Sequence, residues 1–164
     1  MQSFFSHVQR RTFFTLLLCL PLWLGATPLE AGATWPPLSL KDQNDQPLVI
    51  DATTQHIIFA AEKSVSDMIN RALGPQGKAA LSQVKAFYVA DISAMPAIIS
   101  RMFAIPKLRE LPFPVGLVRE AAQTGDVPRR KGAATVIALD GGLIKQIQFA
   151  ENEAQLRQAL NLVP

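Results

Sequence analysis

Cysteine is almost absent from this chain of 164 residues. The only cysteine is Cys19, which lies in an apolar N-terminal segment. Thiol–disulfide exchange proceeds by attack of a thiolate on a disulfide, and a single cysteine cannot form a disulfide within its own chain. Histidine is nearly as scarce, with only His7 and His56. Zinc sites are usually built from several cysteine or histidine ligands, so we expect no metal site.

Strong charge and nucleotide-binding motifs are also missing. The formal net charge is +3, and the basic residues are scattered, which does not indicate a nucleic-acid partner. Gly141-Gly142 is typical of a turn, and no G-x-G-x-x-G or G-K-[ST] motif is present, so we expect no cofactor. The hydrophobic content of 49% is too high for a disordered chain, and the length suits one domain.

The longest apolar run is too short for a comfortable membrane span. Arg10 and Arg11 precede a mostly apolar stretch over residues 13–26, whereas a spanning helix needs about 20 apolar residues. This pattern is typical of a secretory signal peptide. After its removal we expect no membrane span and a periplasmic or secreted protein.

Two places in this segment carry small residues suited to cleavage. Ala31-Gly32-Ala33 has the small-x-small pattern, so we predict a signal peptide over residues 1–33 and a mature domain over 34–164. Ala26 is a second possible cut, although Leu24 occupies the third position before it. Leu18 before Cys19 does not fit a lipidation site.

Strands and helices alternate along the mature chain. Short apolar runs between turn residues predict strands, and apolar residues recurring every three or four positions predict helices. The expected strands are 38–41, 47–50, 56–60, 84–91, 115–120, 133–139 and 143–149, and the expected helices are 64–73, 96–104 and 154–162. This order predicts an α/β fold, a mixed sheet with an N-terminal β-hairpin and helices on both faces.

Two of the expected helices carry an apolar stripe. The pattern predicts that both helices turn these stripes toward the core, and that Pro106 breaks the second helix. The expected core positions are Met68, Ile69, Ile98, Ile99 and Phe103.

The element order and the opening hairpin, WPPLSLKDQNDQPLVI, resemble the thioredoxin-like superfamily in its peroxiredoxin/redoxin-like branch. The stretch FAAEKSVSD over residues 59–67 resembles the thioredoxin motif that contains C-x-x-C, with Ser64 and Asp67 at the two cysteine positions. Ile58 stands where the family has a buried acid. The resemblance therefore implies a thioredoxin-like domain without catalytic cysteines. Thiol–disulfide oxidoreductase and thiol peroxidase activities are excluded for the mature chain.

Ser64 and Asp67 also fit a structural interpretation. Ser-x-x-Asp before an apolar periodic run is a capping pattern, in which Ser64 would accept a backbone N–H at the helix start. We favour this capping role over a catalytic one.

A second motif, Leu111-Pro112-Phe113-Pro114-Val115, matches the place where the family has a cis-proline before a strand. The resemblance implies that Pro114 is cis and lies beside Ser64, and that backbone near it can pair with an extended peptide. The alternative is a rigid loop that only positions the strand.

Other polar residues have structural explanations as well as functional ones. Ser64, His56 and an aspartate, Asp67 or Asp91, could form a hydrolytic triad, but no G-x-S-x-G motif is present. Asp91 ends a predicted strand, where ligands often bind in open α/β sheets, or it could cap the helix that starts at Pro96, which we favour. The basic cluster at residues 129–131 could meet an anionic partner or could be a solvated loop.

These patterns favour a redox-inactive module that binds a protein or peptide of the cell envelope. The predicted partner site consists of Ser64, Asp67, Phe113 and Pro114, with Phe113 as an apolar contact. The alternatives are an oxidoreductase-type enzyme that relies on a bound cofactor, and a structural envelope protein.

Overall fold

The computed structural model describes residues 28–162, and seven strands in this part of the chain form one mixed sheet. Its strand order is β2-β1-β5-β4-β3-β6-β7. β3, β4 and β5 are parallel, whereas the pairs β1/β2, β1/β5, β3/β6 and β6/β7 are antiparallel. The strands are β1 Leu38–Lys41, β2 Pro47–Ile50, β3 His56–Ala60, β4 Ala86–Asp91, β5 Val115–Val118, β6 Ala134–Asp140 and β7 Leu143–Ala150. The predicted mixed sheet with an N-terminal hairpin is confirmed.

Four helices of more than one turn pack on the sheet in the described part of the chain. They are α1 Lys63–Leu73, α2 Gly77–Gln83, α3 over residues 97–109 and α4 Glu153–Ala159. None of them, within the described residues, is long and apolar enough to cross a membrane. The sequence pattern missed α2, because its first residue, Gly77, belongs to a Gly-Pro-Gln-Gly run that is typical of a helix stop. Glycine is needed there because a Cβ atom would stand 2.4 Å from the Phe113 ring.

The sheet separates two apolar clusters, because alternate side chains of a strand point to opposite faces. Ile58 and Tyr88 belong to the cluster that also holds the buried apolar side chains of all four helices. Ile57, Phe59 and Val89 belong to the cluster on the other face.

The second face carries no long helix within residues 28–162. We expected helices on both faces, but this face is covered by residues 29–35 and by the connection between β5 and β6. That connection contains a short 3-10 helix, Ala121–Gln123. Glycine at 125 and 132 and proline at 128 interrupt it, which explains why no longer helix forms there.

Helix α3 contains a π-helical turn in its middle. The helix runs as α over Ala97–Ile99, as π over Ser100–Ala104 and as α again over Ile105–Arg109. Pro106 lacks an N–H group and would clash with the carbonyl four residues earlier in a regular α-helix. The π turn places an extra residue before Pro106, so the helix continues through the proline and the predicted break is wrong.

The extra residue changes which side of α3 faces the core. Ile105 N–H donates to the Ser100 carbonyl, and both Ser100 and Ile105 are buried. A regular helix would bring Ile105 and Met102 onto one face. In the structure Ile98, Met102 and Phe103 are each more than 60% exposed, and Ile99 is 43% exposed.

The core predictions therefore divide between the two helices. Met68 and Ile69 of α1 are buried, as predicted. The prediction for Ile98, Ile99 and Phe103 is wrong, because α3 turns a different side, with Ser100, Ile105 and Leu108, toward the core.

We predict a clear contrast between two isoleucine substitutions. Ile69→Ala removes buried methyl groups and should lower the free energy of unfolding by about 2–5 kcal/mol. Ile98→Ala removes an exposed side chain and should change it by less than about 0.5 kcal/mol. Urea unfolding followed by circular dichroism measures both. Equal destabilisation by the two substitutions would contradict the described orientation of α3.

Candidate functional site

A groove of about 360 Å³ opens at the carboxyl ends of β3 and β4, between α1 and α3. One wall is apolar and comes from the end of β4 and from α3, with Ile92, Met95, Ile99, Phe103, Ala104 and Leu108. The facing wall is polar and comes from α1, with Ser66, Asp67 and Asn70. Ligands of open α/β sheets commonly bind at the carboxyl ends of parallel strands, so this groove is the candidate site.

Ser64 lies in the first turn of α1, is exposed and does not line the groove. The predicted capping role of Ser64 is wrong, because the helix begins one residue earlier. Glu62 takes the N-cap position in an extended conformation, and its carbonyl accepts the N–H of Ser66 at 3.0 Å. The Glu62 side chain is used elsewhere: its Oε1 accepts the N–H of Gly132 at 2.9 Å.

Asp67 joins the two walls of the groove. Its carboxylate accepts hydrogen bonds from Lys63 of α1 at 2.6 Å and from Lys107 of α3 at 3.1 Å. The bond from Lys63, together with the weaker effect of Lys107, lowers the pKa of Asp67 below its usual value. The carboxylate is therefore ionised at neutral pH and holds α3 against α1.

Phe113 and Pro114 lie at the amino ends of the parallel strands, whereas Ser64 lies at their carboxyl ends. They precede β5, which runs parallel to β3 and β4, whereas α1 follows the carboxyl end of β3. They line a separate groove of about 250 Å³. The structure therefore does not bring Ser64, Asp67, Phe113 and Pro114 together, and of these four residues only Asp67 lines the groove beside α1.

The predicted cis bond at Pro114 is also wrong, since all peptide bonds within residues 28–162 are trans. The neighbouring backbone is fixed by buried Gln43, which donates to the Phe113 carbonyl at 2.9 Å and accepts from Val115 N–H at 2.8 Å. Phe113 itself is 3% exposed and packs near Tyr88, so it offers no surface to a partner.

The loop that does lie beside the start of α1 precedes β6. It is tied there by Arg129, which donates to the Asp91 carboxylate at 2.9 Å and stands 4.9 Å from the centroid of the Phe59 ring. Asp91 also lines the groove. In the sequence, Asp91 is recognisable as the aspartate at the end of a predicted strand and Arg129 as part of a basic cluster. Nothing in the sequence indicates that these two residues pair.

The hydrolytic triad considered from the sequence is not assembled. His56 is the first residue of β3 and its Nδ1 lies 3.0 Å from the Val84 carbonyl, whereas Ser64 lies beyond the other end of that strand. Within residues 28–162, no group of three or more potential metal ligands comes together.

Tyr88 lies below this region with its side chain fully buried. Burial raises the pKa of Tyr88 to about 12, and Tyr88 does not line the groove. The groove itself combines an apolar wall with the charged side chains of Lys63, Asp67 and Lys107, an arrangement suited to an apolar group beside charges.

Comparison with known proteins identifies the fold. No family model matches the sequence, and no curated protein matches it. Solved structures do match: a candidate protein disulfide isomerase from Bacteroides thetaiotaomicron has 12% identity and a TM-score of 0.55, over 82% of this chain and 87% of that one. Peroxidoxin BcpB from Mycobacterium tuberculosis has 14% identity and a TM-score of 0.52, over 81% and 95%.

A thio-disulfide isomerase from Thermus thermophilus is similar at 16% identity and a TM-score of 0.50, over 82% of this chain and 96% of that one. At such low identities the likeness shows the fold alone. The chain has the thioredoxin-like fold and, with Cys19 as its single cysteine, lacks a cysteine pair.

We predict that Asp67→Asn destabilises the fold in a pH-dependent way. A carboxylate whose pKa is lowered by folding adds stability above its unfolded pKa, near 3.8, and loses it as the pH falls below that value. At neutral pH the loss should be about 0.2–1 kcal/mol, since both lysines are largely exposed. Urea unfolding at neutral and acidic pH measures the difference, with Asp126→Asn as the control. A deficit that persists unchanged at acidic pH would contradict this role.

Proposed function

We propose that this protein is an exported thioredoxin-like module that binds an apolar segment of an envelope protein, without thiol chemistry. The observation that carries the proposal is the apolar wall of the groove and its continuation onto exposed side chains of α3. Phe103 is 64% exposed although it lines the groove, and Ile98 and Met102 are exposed on the same helix. Large apolar side chains grouped on a surface are typical of interaction sites.

The extent of this surface favours a protein segment over a small molecule. The groove alone has the volume of a small-ligand pocket. The exposed apolar side chains continue beyond it, at Ile98 and Met102, which a small ligand would leave in water. A partner chain can cover the groove and these positions together.

The charge of α3 indicates the polar character of that segment. Residues 97–109 contain Arg101, Lys107 and Arg109 and no acidic residue. Lys107 pairs with Asp67, and Arg109 lies beside Asp45. Arg101 is therefore the cation best placed to meet a partner. Complementary charge steers association and fixes the orientation of a partner. We therefore expect acidic residues beside the apolar ones in the bound segment.

The residues at the start of α1 support binding without thiol exchange. Ser64 and Asp67 occupy the positions that resemble C-x-x-C, and Asp67 is held in ion pairs with two lysines. A serine hydroxyl has no thiolate, and a carboxylate cannot form a disulfide.

Export is supported by the sequence before the domain. Arg10 and Arg11 followed by the apolar stretch 13–26 are typical of a secretory signal. These residues lie outside the part of the chain that the structure describes. The proposed location of the mature protein is the periplasm or the exterior.

Site-specific photo-crosslinking in the exporting bacterium tests this function. The full chain carries p-benzoylphenylalanine at Phe103 in one strain and at Val49, an equally exposed apolar residue on β2, in the control strain. We expect a discrete crosslinked envelope protein from position 103 only. Its crosslinked segment, mapped by mass spectrometry, should contain apolar residues beside acidic ones.

Affinity for that segment then separates binding from proximity. A synthetic peptide of the mapped segment should bind Phe103→Ser about tenfold more weakly than the wild type, and Val49→Ser should bind like the wild type. Identical crosslinking from both positions, or an unchanged Kd for Phe103→Ser, would contradict the proposal. No crosslink from position 103 would favour a purely structural envelope protein.

A further inference from the structure

Residues 28–33 are hydrogen-bonded to the body of the domain. Leu29 N–H donates to the Asp126 carbonyl at 2.9 Å, and Gly32 N–H donates to the Ile144 carbonyl at 2.8 Å. In return, Ile144 N–H donates to the Ala33 carbonyl at 2.9 Å. The segment therefore extends the pairing at the start of β7, the edge strand of the sheet.

The same residues also cover apolar surface. Leu29 and Ala33 pack against the cluster on the helix-free face, where Trp35, Val127 and Ile144 are buried. Because that face has no long helix, this segment and the connection between β5 and β6 supply its cover. Residues 28–33 thus have the contacts of a part of the mature domain.

A cut after Ala33 would take these contacts away. It would remove the Gly32 donor and turn the Ala33 carbonyl, which accepts from Ile144, into the carboxylate of a released peptide. It would also leave a charged α-amine on Thr34, which forms a β-bridge with Leu143. Paired backbone groups would then have to be satisfied by water, and the apolar side chains beneath them would be uncovered.

We infer that the export cut lies after Ala26, so that the mature protein begins at Thr27. This inference rests on the export part of the proposed function. The step is hydrolysis of the Ala26–Thr27 peptide bond by an endopeptidase of the export machinery: water supplies the hydroxyl of the new Ala26 carboxyl group and the hydrogen of the new Thr27 amine. Ala26 gives the small residue before the cut and ends the apolar stretch, although Leu24 is large for the third position.

Intact-mass spectrometry of the full chain, produced and exported in a bacterium, tests the inference. The wild-type mature protein should have the mass of residues 27–164. Two lysine substitutions give a matched pair, since each places a charged residue where one cut needs a small one. Ala26→Lys should abolish the processed form, whereas Ala31→Lys, at an exposed position three residues before the other cut, should leave it unchanged apart from the substitution itself.

The outcomes separate this inference from the export proposal. A mature protein that begins at Thr34, with processing lost in Ala31→Lys and kept in Ala26→Lys, would overturn the cut after Ala26 and leave export standing. A protein that still begins at Met1 would overturn both.

Discussion

The geometry of the candidate site depends on Pro106, which constrains the backbone of α3. A regular α-helix cannot pass through this residue without a lost hydrogen bond and a clash with the preceding turn. The helix instead inserts a π turn over Ser100–Ala104, so that Ser100 rather than Met102 shares the buried side with Ile105. The apolar side chains before the turn consequently face outward and continue the apolar wall of the groove.

Polar contacts hold the rest of the site in place. Asp67 connects α1 to α3 through Lys63 and Lys107, and Arg129 connects the loop before β6 to Asp91 at the end of β4. These ion pairs connect the elements that surround the groove.

The sheet could be predicted from the sequence because its signals are local. The hairpin of β1 and β2 is predicted by a polar turn between two apolar runs. The parallel unit β3-α1-β4 is predicted by two short apolar runs, typical of buried strands, on either side of a segment whose apolar residues recur at helical spacing. The exposure of Ile98 and Met102 could not be predicted in this way, since a regular helix would place both on the side of buried Ile105 and the π turn shifts the helical phase without any change in composition.

The prediction that Pro114 lies beside Ser64 is wrong because of the sheet topology. In chain order this proline comes before the strand that follows α3. That strand is β5, and its first residues lie at the amino ends of the parallel strands, opposite the start of α1. The strand that pairs antiparallel with β3 is β6. The Asp91–Arg129 pair joins residues far apart in the sequence, and only the sheet order brings them together.

An amide NMR titration of the exported protein with the crosslinked partner segment tests the central claim most directly. The account predicts that chemical-shift changes concentrate on residues that line the groove, such as Asp67, Asn70, Ile99 and Phe103. Chemical-shift changes concentrated at the amino ends of the parallel strands, around Phe87 and Pro114, would contradict the account. A titration without saturable chemical-shift changes would also contradict it.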